Sequence, residues 1–159
     1  MDEEHDNQVS PGYANDSTEE LLEQSQSNSQ ATIIATIAFL TERKLSVDDW
    51  TASLGRTFGF AWDDPSPWEA GEFLDAMLTN FRSLGATVLA SDLGTDRAEA
   101  TTTGFPDPEL CALFGVDPAL VTAFNDVPAA LARDRSLTWE WSRNGDETHY
   151  SVRQLATGN

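Results

Sequence analysis

Leu137-Thr138-Trp139-Glu140-Trp141-Ser142 alternates apolar and polar side chains without a break, and Thr148-His149-Tyr150-Ser151-Val152 follows after a short gap. A period of two is the spacing of a half-buried β-strand. Between the two runs, Asn144-Gly145 is the favoured central pair of a two-residue type I′ hairpin turn. That turn pairs Arg143 with Asp146, Trp141 with Thr148, Glu140 with His149, Trp139 with Tyr150 and Leu137 with Val152. Leu137, Trp139, Tyr150 and Val152 then share one face, and Glu140 with His149 occupies the other.

A second hairpin lies upstream. Ala86–Leu93 and Arg97–Thr103 are rich in Thr, Val and Ala and are separated by Gly94-Thr95-Asp96. Between the hairpins, Asp107-Pro108 and Asp117-Pro118 each read as an N-cap followed by a first-turn proline, and Gly115 closes the first short helix. Pro128 is expected to end or kink the second, starting a last turn capped by Asp126.

Ahead of the hairpins the period becomes helical. Ile33, Ile34, Ile37 and Leu40 mark one helix, and Val47, Trp50, Leu54, Phe58 and Ala61 mark a second, opened by Ser46 with Asp49 three residues on. Ser66-Pro67-Trp68-Glu69 supplies N-cap, first-turn proline and N3 glutamate for a third. Its stripe is Ala70, Phe73, Leu74, Met77, Leu78, Phe81 and Leu84, with Gly85 as its stop. The fold class is therefore α+β: N-terminal helices packed on a mostly antiparallel sheet of about four strands built from two hairpins, with short helices between them.

The chain has 159 residues, 27 acidic and nine basic side chains, and a net charge of −18. Residues 1–29 hold eight acids and no base, are rich in Asn, Gln and Ser, and read as a disordered acidic tail. Within it, Thr18–Gln26 has helix-forming Glu and Leu and is able to extend the next helix by a turn or two. Residues 30–155 form one α+β domain and 156–159 a flexible C-terminus. Even without the tail, 19 acids face nine bases, a halophile-like surface low in lysine or else a face for a basic partner. The acids form no regular stripe of the kind that mimics nucleic acid. Such a charge opposes binding to nucleic acid or anionic membrane. No apolar run is long enough to span a bilayer, and MDEEHDNQVS lacks the basic and apolar regions of a signal peptide. The expected location is cytoplasmic.

Catalytic signatures are missing: no P-loop, no GxSxG, no HExxH. His149 beside Glu140 is the best acid–base pair, and on the solvent face it reads as an ordinary cross-strand polar pair. Cys111, one turn into a short helix, reads as a small buried hydrophobe rather than a reactive thiol. The carboxylates of Asp63, Asp64, Glu69 and Glu72 follow no metal-loop spacing and suit a helix start. No cofactor and no metal are expected. The aromatic residues say more. One hairpin presents Ala98 and Ala100 while the other presents Trp139, Trp141 and Tyr150. The small face is met either by a helix packing closer or by an apolar cavity walled by tryptophan, with Trp62 and Trp68 near its entrance.

The run Phe105-Pro106-Asp107-Pro108-Glu109-Leu110-Cys111-Ala112-Leu113-Phe114-Gly115-Val116-Asp117-Pro118, set between helices with a hairpin and a closing Trp-rich hairpin, resembles the small ligand-binding domains named after vinyl reductase. The resemblance covers Ser46 to Val152. It implies an α+β domain, often dimeric, that holds a small apolar or aromatic ligand. With one cysteine and one histidine in the folded part, this chain departs from metal- and haem-binding relatives, and no catalytic residue carries over. The expected function is thus a non-enzymatic accessory or regulatory domain binding a small apolar ligand through Trp139, Trp141, Tyr150, Trp62 and Trp68. The alternative is a structural or assembly protein that dimerises through the Ile-rich helix 31–40 and meets a protein partner through its acidic tail. An enzyme using Glu140–His149 or Cys111 stands third.

Overall fold

The computed structural model describes residues 16–62 and 67–156. Its elements run α1 (Thr18–Glu42), α2 (Val47–Ala61), α3 (Ala70–Ser83), β1 (Thr87–Leu93), β2 (Arg97–Thr103), α4 (Pro108–Leu113), α5 (Pro118–Val121), a 3-10 turn (Thr122–Asp126), α6 (Pro128–Asp134), β3 (Leu137–Asn144) and β4 (Glu147–Gln154). The sheet is antiparallel throughout in the order β1-β2-β4-β3, so the two hairpins meet through β2 and β4. The fold is α+β, as the two periodicities require.

Local signals account for most of the helix ends. The Ser46 hydroxyl accepts from the Asp49 amide at 3.0 Å, and Asp107 and Asp117 cap α4 and α5 ahead of their prolines. Three ends differ from the sequence expectation. α1 starts at Thr18, where Ser17 and Glu20 form a reciprocal capping box, so residues 18–29 are helical rather than tail. The tail expectation for residues 1–15 lies outside the described residues, as does Ser66. α3 starts at Ala70, with Glu69 as its N-cap, because the β1–β2 loop takes over the role of a cap. Thr95 and Gly94 carbonyls accept from the Ala70 and Gly71 amides at 2.8 and 2.9 Å. α6 follows Val127, and the Asp126 carboxylate accepts from a tryptophan instead of capping it.

The closing hairpin is shifted by two residues. Trp141 lies opposite Tyr150, Trp139 opposite Val152, Glu140 opposite Ser151 and Ser142 opposite His149, and the turn is Gly145-Asp146. Gly145, at φ +62°, takes the first central position, which a type II′ turn reserves for glycine. Arg143 holds this register by donating to the carbonyls of Gly145 and Phe105 and to the Thr148 hydroxyl. An even shift leaves every side chain on its expected face. It does separate Glu140 from His149 as direct partners.

The core lies between α3 and the inner sheet face. Phe73, Leu74, Met77 and Phe81 are buried against Ala98, Ala100, Tyr150 and Val152. Ala98 and Ala100 are buried in this core, and Gly71 lets the start of α3 come close to the end of β1, where a Cβ would sit 2.6 Å from the Leu93 carbonyl oxygen. Ile34 and Ile37 of α1 are fully buried in the same core. On the same Ile-rich segment Phe39 is exposed.

Gln30 fastens α1 to the rest. It is buried, its Nε2 donates to the Leu84 and Gly104 carbonyls at 2.7 and 2.9 Å, and its Oε1 accepts from the Asp107 amide at 3.0 Å. Replacing it with an apolar isostere strands three polar groups, each worth about 1 kcal/mol or more when desolvated and unpaired. We expect Gln30→Leu to lower unfolding stability by about 3 kcal/mol in urea titration. A cost equal to that of the exposed Gln24→Leu would contradict the clamp.

Candidate functional site

Trp139, Trp141 and Tyr150 stand on one face of the closing hairpin, and each carries one polar atom that needs a partner when covered. All three find it in two consecutive residues of the 3-10 turn. The Trp139 indole donates to the Asn125 carbonyl at 2.7 Å, Tyr150 Oη donates to Asn125 Oδ1 at 2.8 Å, and the Trp141 indole donates to Asp126 Oδ1 at 2.6 Å. Asn125 is fully buried and its amide donates to the Thr122 carbonyl. Burial pushes the Tyr150 hydroxyl up to about 12.

The rings of this hairpin are packed. Phe81 stacks on Tyr150 with centroids 5.1 Å apart and on Trp139 at 6.4 Å, while Trp139 and Tyr150 are 5.2 Å apart. Trp62 and Trp68 form a second cluster, stacked at 5.4 Å. The buried Arg135 guanidinium lies 5.0 Å from the Trp62 ring and 5.4 Å from the Trp68 ring, and donates to the Trp62 and Leu131 carbonyls. Arginine pairs well with aromatic faces because its charge is diffuse and weakly hydrated.

An apolar cavity of about 330 Å³ opens beside these clusters. Phe58 and Trp62 line it from α2 and its end. Met77, Phe81 and Leu84 line it from α3 and its end. Phe124 and Val127 come from the 3-10 turn and its end, and Pro128 and Leu131 from α6. Asn80 and Ser83 supply the polar atoms, and both are exposed, so they belong to the rim. No ionisable side chain lines the cavity.

Of the five expected site residues, Trp62 lines this cavity and Trp68 supports it from behind by stacking. Trp139, Trp141 and Tyr150 do not line it; they belong to the packed hairpin, and Phe81 joins them to the cavity wall. Sequence reading missed Phe58, Phe81 and Phe124 because a helical phenylalanine at core spacing reads as core. The other chemical candidates do not meet in one site. Glu140 and His149 line a shallow depression on the solvent side of the sheet with Glu99 and Arg153, where His149 Nδ1 lies 3.3 Å from the Thr101 hydroxyl, and Cys111 is not part of it. Cys111 is buried on α4, its thiol pushed up by desolvation and then by nearby Asp107. Asp63 and Asp64 lie outside the described residues. Among the described residues no cluster of three or more His, Cys, Asp or Glu is placed to hold a metal ion, and no helix is long and apolar enough to cross a membrane.

Comparison with family models, with curated proteins and with solved structures finds no match to this chain.

Two expectations follow from the Asn125 node. Tyr150→Phe leaves Asn125 Oδ1 buried without its donor and is expected to cost about 1–3 kcal/mol in chemical unfolding. A tyrosine whose hydroxyl is raised to about 12 when folded stays protonated while the unfolded one ionises near pH 10. Its stabilising contribution is complete below about pH 10 and is lost as pH rises toward 12. Unfolding titrations of wild type and Tyr150→Phe should converge over that window. Parallel curves would show that the hydroxyl is not desolvated in the native state.

Proposed function

We propose that this chain is a non-enzymatic binding domain that holds a small, uncharged apolar molecule in the cavity between α2, α3, the 3-10 turn and α6, and serves as an accessory or regulatory protein. The observation that carries the reading is the lining: four aromatic rings and five aliphatic or thioether groups around about 330 Å³, with polar atoms at the rim alone. That volume lies at the small end of known ligand sites, roughly 300–1,000 Å³. It equals about eleven waters at liquid density, enough for one ring or a short fused pair. Without an ionisable lining group, a bound charge would be desolvated and unpaired, so the ligand is neutral. The resemblance to vinyl-reductase-type hydrocarbon-binding domains points to the same ligand class.

The site is suited to a coupled readout. Trp62 is at once a cavity wall, the end of α2, and half of the stack over which Arg135 lies. A ligand against Trp62 presses on a stack that links α2 to the end of α6.

Titration with neutral probes such as p-xylene and cyclohexanol, followed by tryptophan fluorescence and by melting temperature, tests the reading. A saturable fluorescence change with a rise in melting temperature is expected. Asn80→Phe, which places a ring at the rim without touching the core, should weaken binding about tenfold or more, equivalent to about 1.4 kcal/mol. Trp62→Phe should remove the fluorescence change and keep the thermal shift. Absence of a saturable response to any neutral apolar probe would end the proposal.

A further inference from the structure

On the solvent side of the sheet, three strands meet around one small residue. Ser151 of β4 has Glu99 of β2 directly opposite on one side and Glu140 of β3 directly opposite on the other. His149 and Arg153 lie two positions to either side of Ser151 along β4, so they share its face. These five residues, with Trp141 at the β3 edge, line the shallow depression, which measures about 510 Å³. Serine is the smallest side chain among them, so the floor of the depression lies over Ser151.

Ser151 is only 8% exposed, and its hydroxyl has no hydrogen-bond partner among the described residues. A covered hydroxyl left unpaired is costly and calls for an explanation. The charges around it are differently committed. Glu99 is engaged by Arg97, with which it forms an ion pair. Among the described residues, the Glu140 and Arg153 side chains make no hydrogen bond or ion pair. Both are exposed, and they are diagonal neighbours on adjacent strands, a separation of roughly 7–8 Å. The depression therefore offers one uncommitted anion, one uncommitted cation and an orphan hydroxyl next to both.

A ligand that is only an anion would face Glu99 and Glu140, and one that is only a cation would face Arg153. Among the described residues no three His, Cys, Asp or Glu side chains are grouped to hold a metal ion. A small molecule carrying both charges satisfies the whole set. We infer that this depression binds a free α-amino acid as its zwitterion. The ammonium pairs with Glu140 and donates to Ser151 Oγ, the carboxylate pairs with Arg153, and an apolar side chain rests on Trp141. The distance between Glu140 and Arg153 suits one amino-acid head with a contact at each end. Exposed ion pairs contribute little, so the affinity is weak and the ligand one present at high concentration. This site is separate from the apolar cavity and does not depend on it.

The test uses the full chain and L-leucine at millimolar concentration, followed by backbone amide shifts in proton–nitrogen NMR spectra. Saturable shifts at His149, Ser151 and Arg153 are expected. N-acetyl-leucine lacks the ammonium and leucinamide lacks the carboxylate, and each should bind at least about tenfold more weakly, equivalent to about 1.4 kcal/mol. The variants should match the missing groups. Glu140→Gln should weaken leucine and leave N-acetyl-leucine as it was, whereas Arg153→Gln should weaken leucine and leave leucinamide as it was. Both side chains are exposed, so circular dichroism melts should stay at wild-type values. Ser151→Ala should lower the affinity and raise the melting temperature, because it removes a covered hydroxyl that has no partner. Asn80→Phe, at the rim of the apolar cavity, should leave leucine binding unchanged. Equal binding of the three compounds would reduce the effect to apolar contact and overturn the inference. Leucine binding lost in Asn80→Phe but indifferent to Glu140→Gln would place the ligand in the cavity and do the same. So would the absence of saturable shifts at the three β4 amides.

Discussion

Asn125 is the residue on which the arrangement of this molecule turns. Its carbonyl accepts from Trp139, its side-chain oxygen accepts from Tyr150, and the next residue accepts from Trp141. A four-residue helix and a 3-10 turn are too short to be stable alone. They hold their place because three large side chains of the closing hairpin need those polar partners once their rings are covered. In return the turn brings Phe124 and Val127 to the wall of the apolar cavity. Gly55 completes the arrangement from α2, where a Cβ would meet the Val127 carbonyl oxygen at 2.5 Å, so α2 lies close to the turn.

Much of the fold was legible in the sequence because it rests on local rules. The switch from helical to alternating period, the Asp-Pro starts and the glycine stops place the elements in order. The antiparallel four-stranded sheet follows from two hairpins. What escaped is what depends on distant partners. α3 begins at Ala70 because carbonyls of the β1–β2 loop reach its first amides, and no signal near Pro67 records that. The hairpin register turns on Arg143 reaching the Phe105 carbonyl, 38 positions away. Asn-Gly favours a turn, but Gly-Asp serves when tertiary bonds prefer it.

The site was legible only in part, and for a related reason. The tryptophan pattern alone points to a pocket beneath the hairpins. A tryptophan whose indole N–H is satisfied inside the fold is as much a structural anchor as a ligand wall, and sequence does not distinguish them. Trp62 lines the cavity, whereas Trp139 stands in the stack that Phe81 closes. Arg135, held under two indole rings, carried no sequence signal at all, since an arginine after α6 looks like any surface base.

The joints of this structure share a chemical character. Gln26 and Gln30 fasten α1 through neutral amides, and Asn125 with the indole N–H groups fastens the closing hairpin, while the ion pair of Arg97 with Glu99 sits out on the solvent side of the sheet. Amide contacts feel neither counterions nor protonation across the ordinary range. Dissolved salt that collapses the surface potential therefore leaves these fastenings as they were. Carboxylate enters the framework at particular places, the helix starts at Glu20, Asp107 and Asp117 and the Trp141 contact of Asp126, and the surface acids outside those places vary without reaching the amide joints beneath.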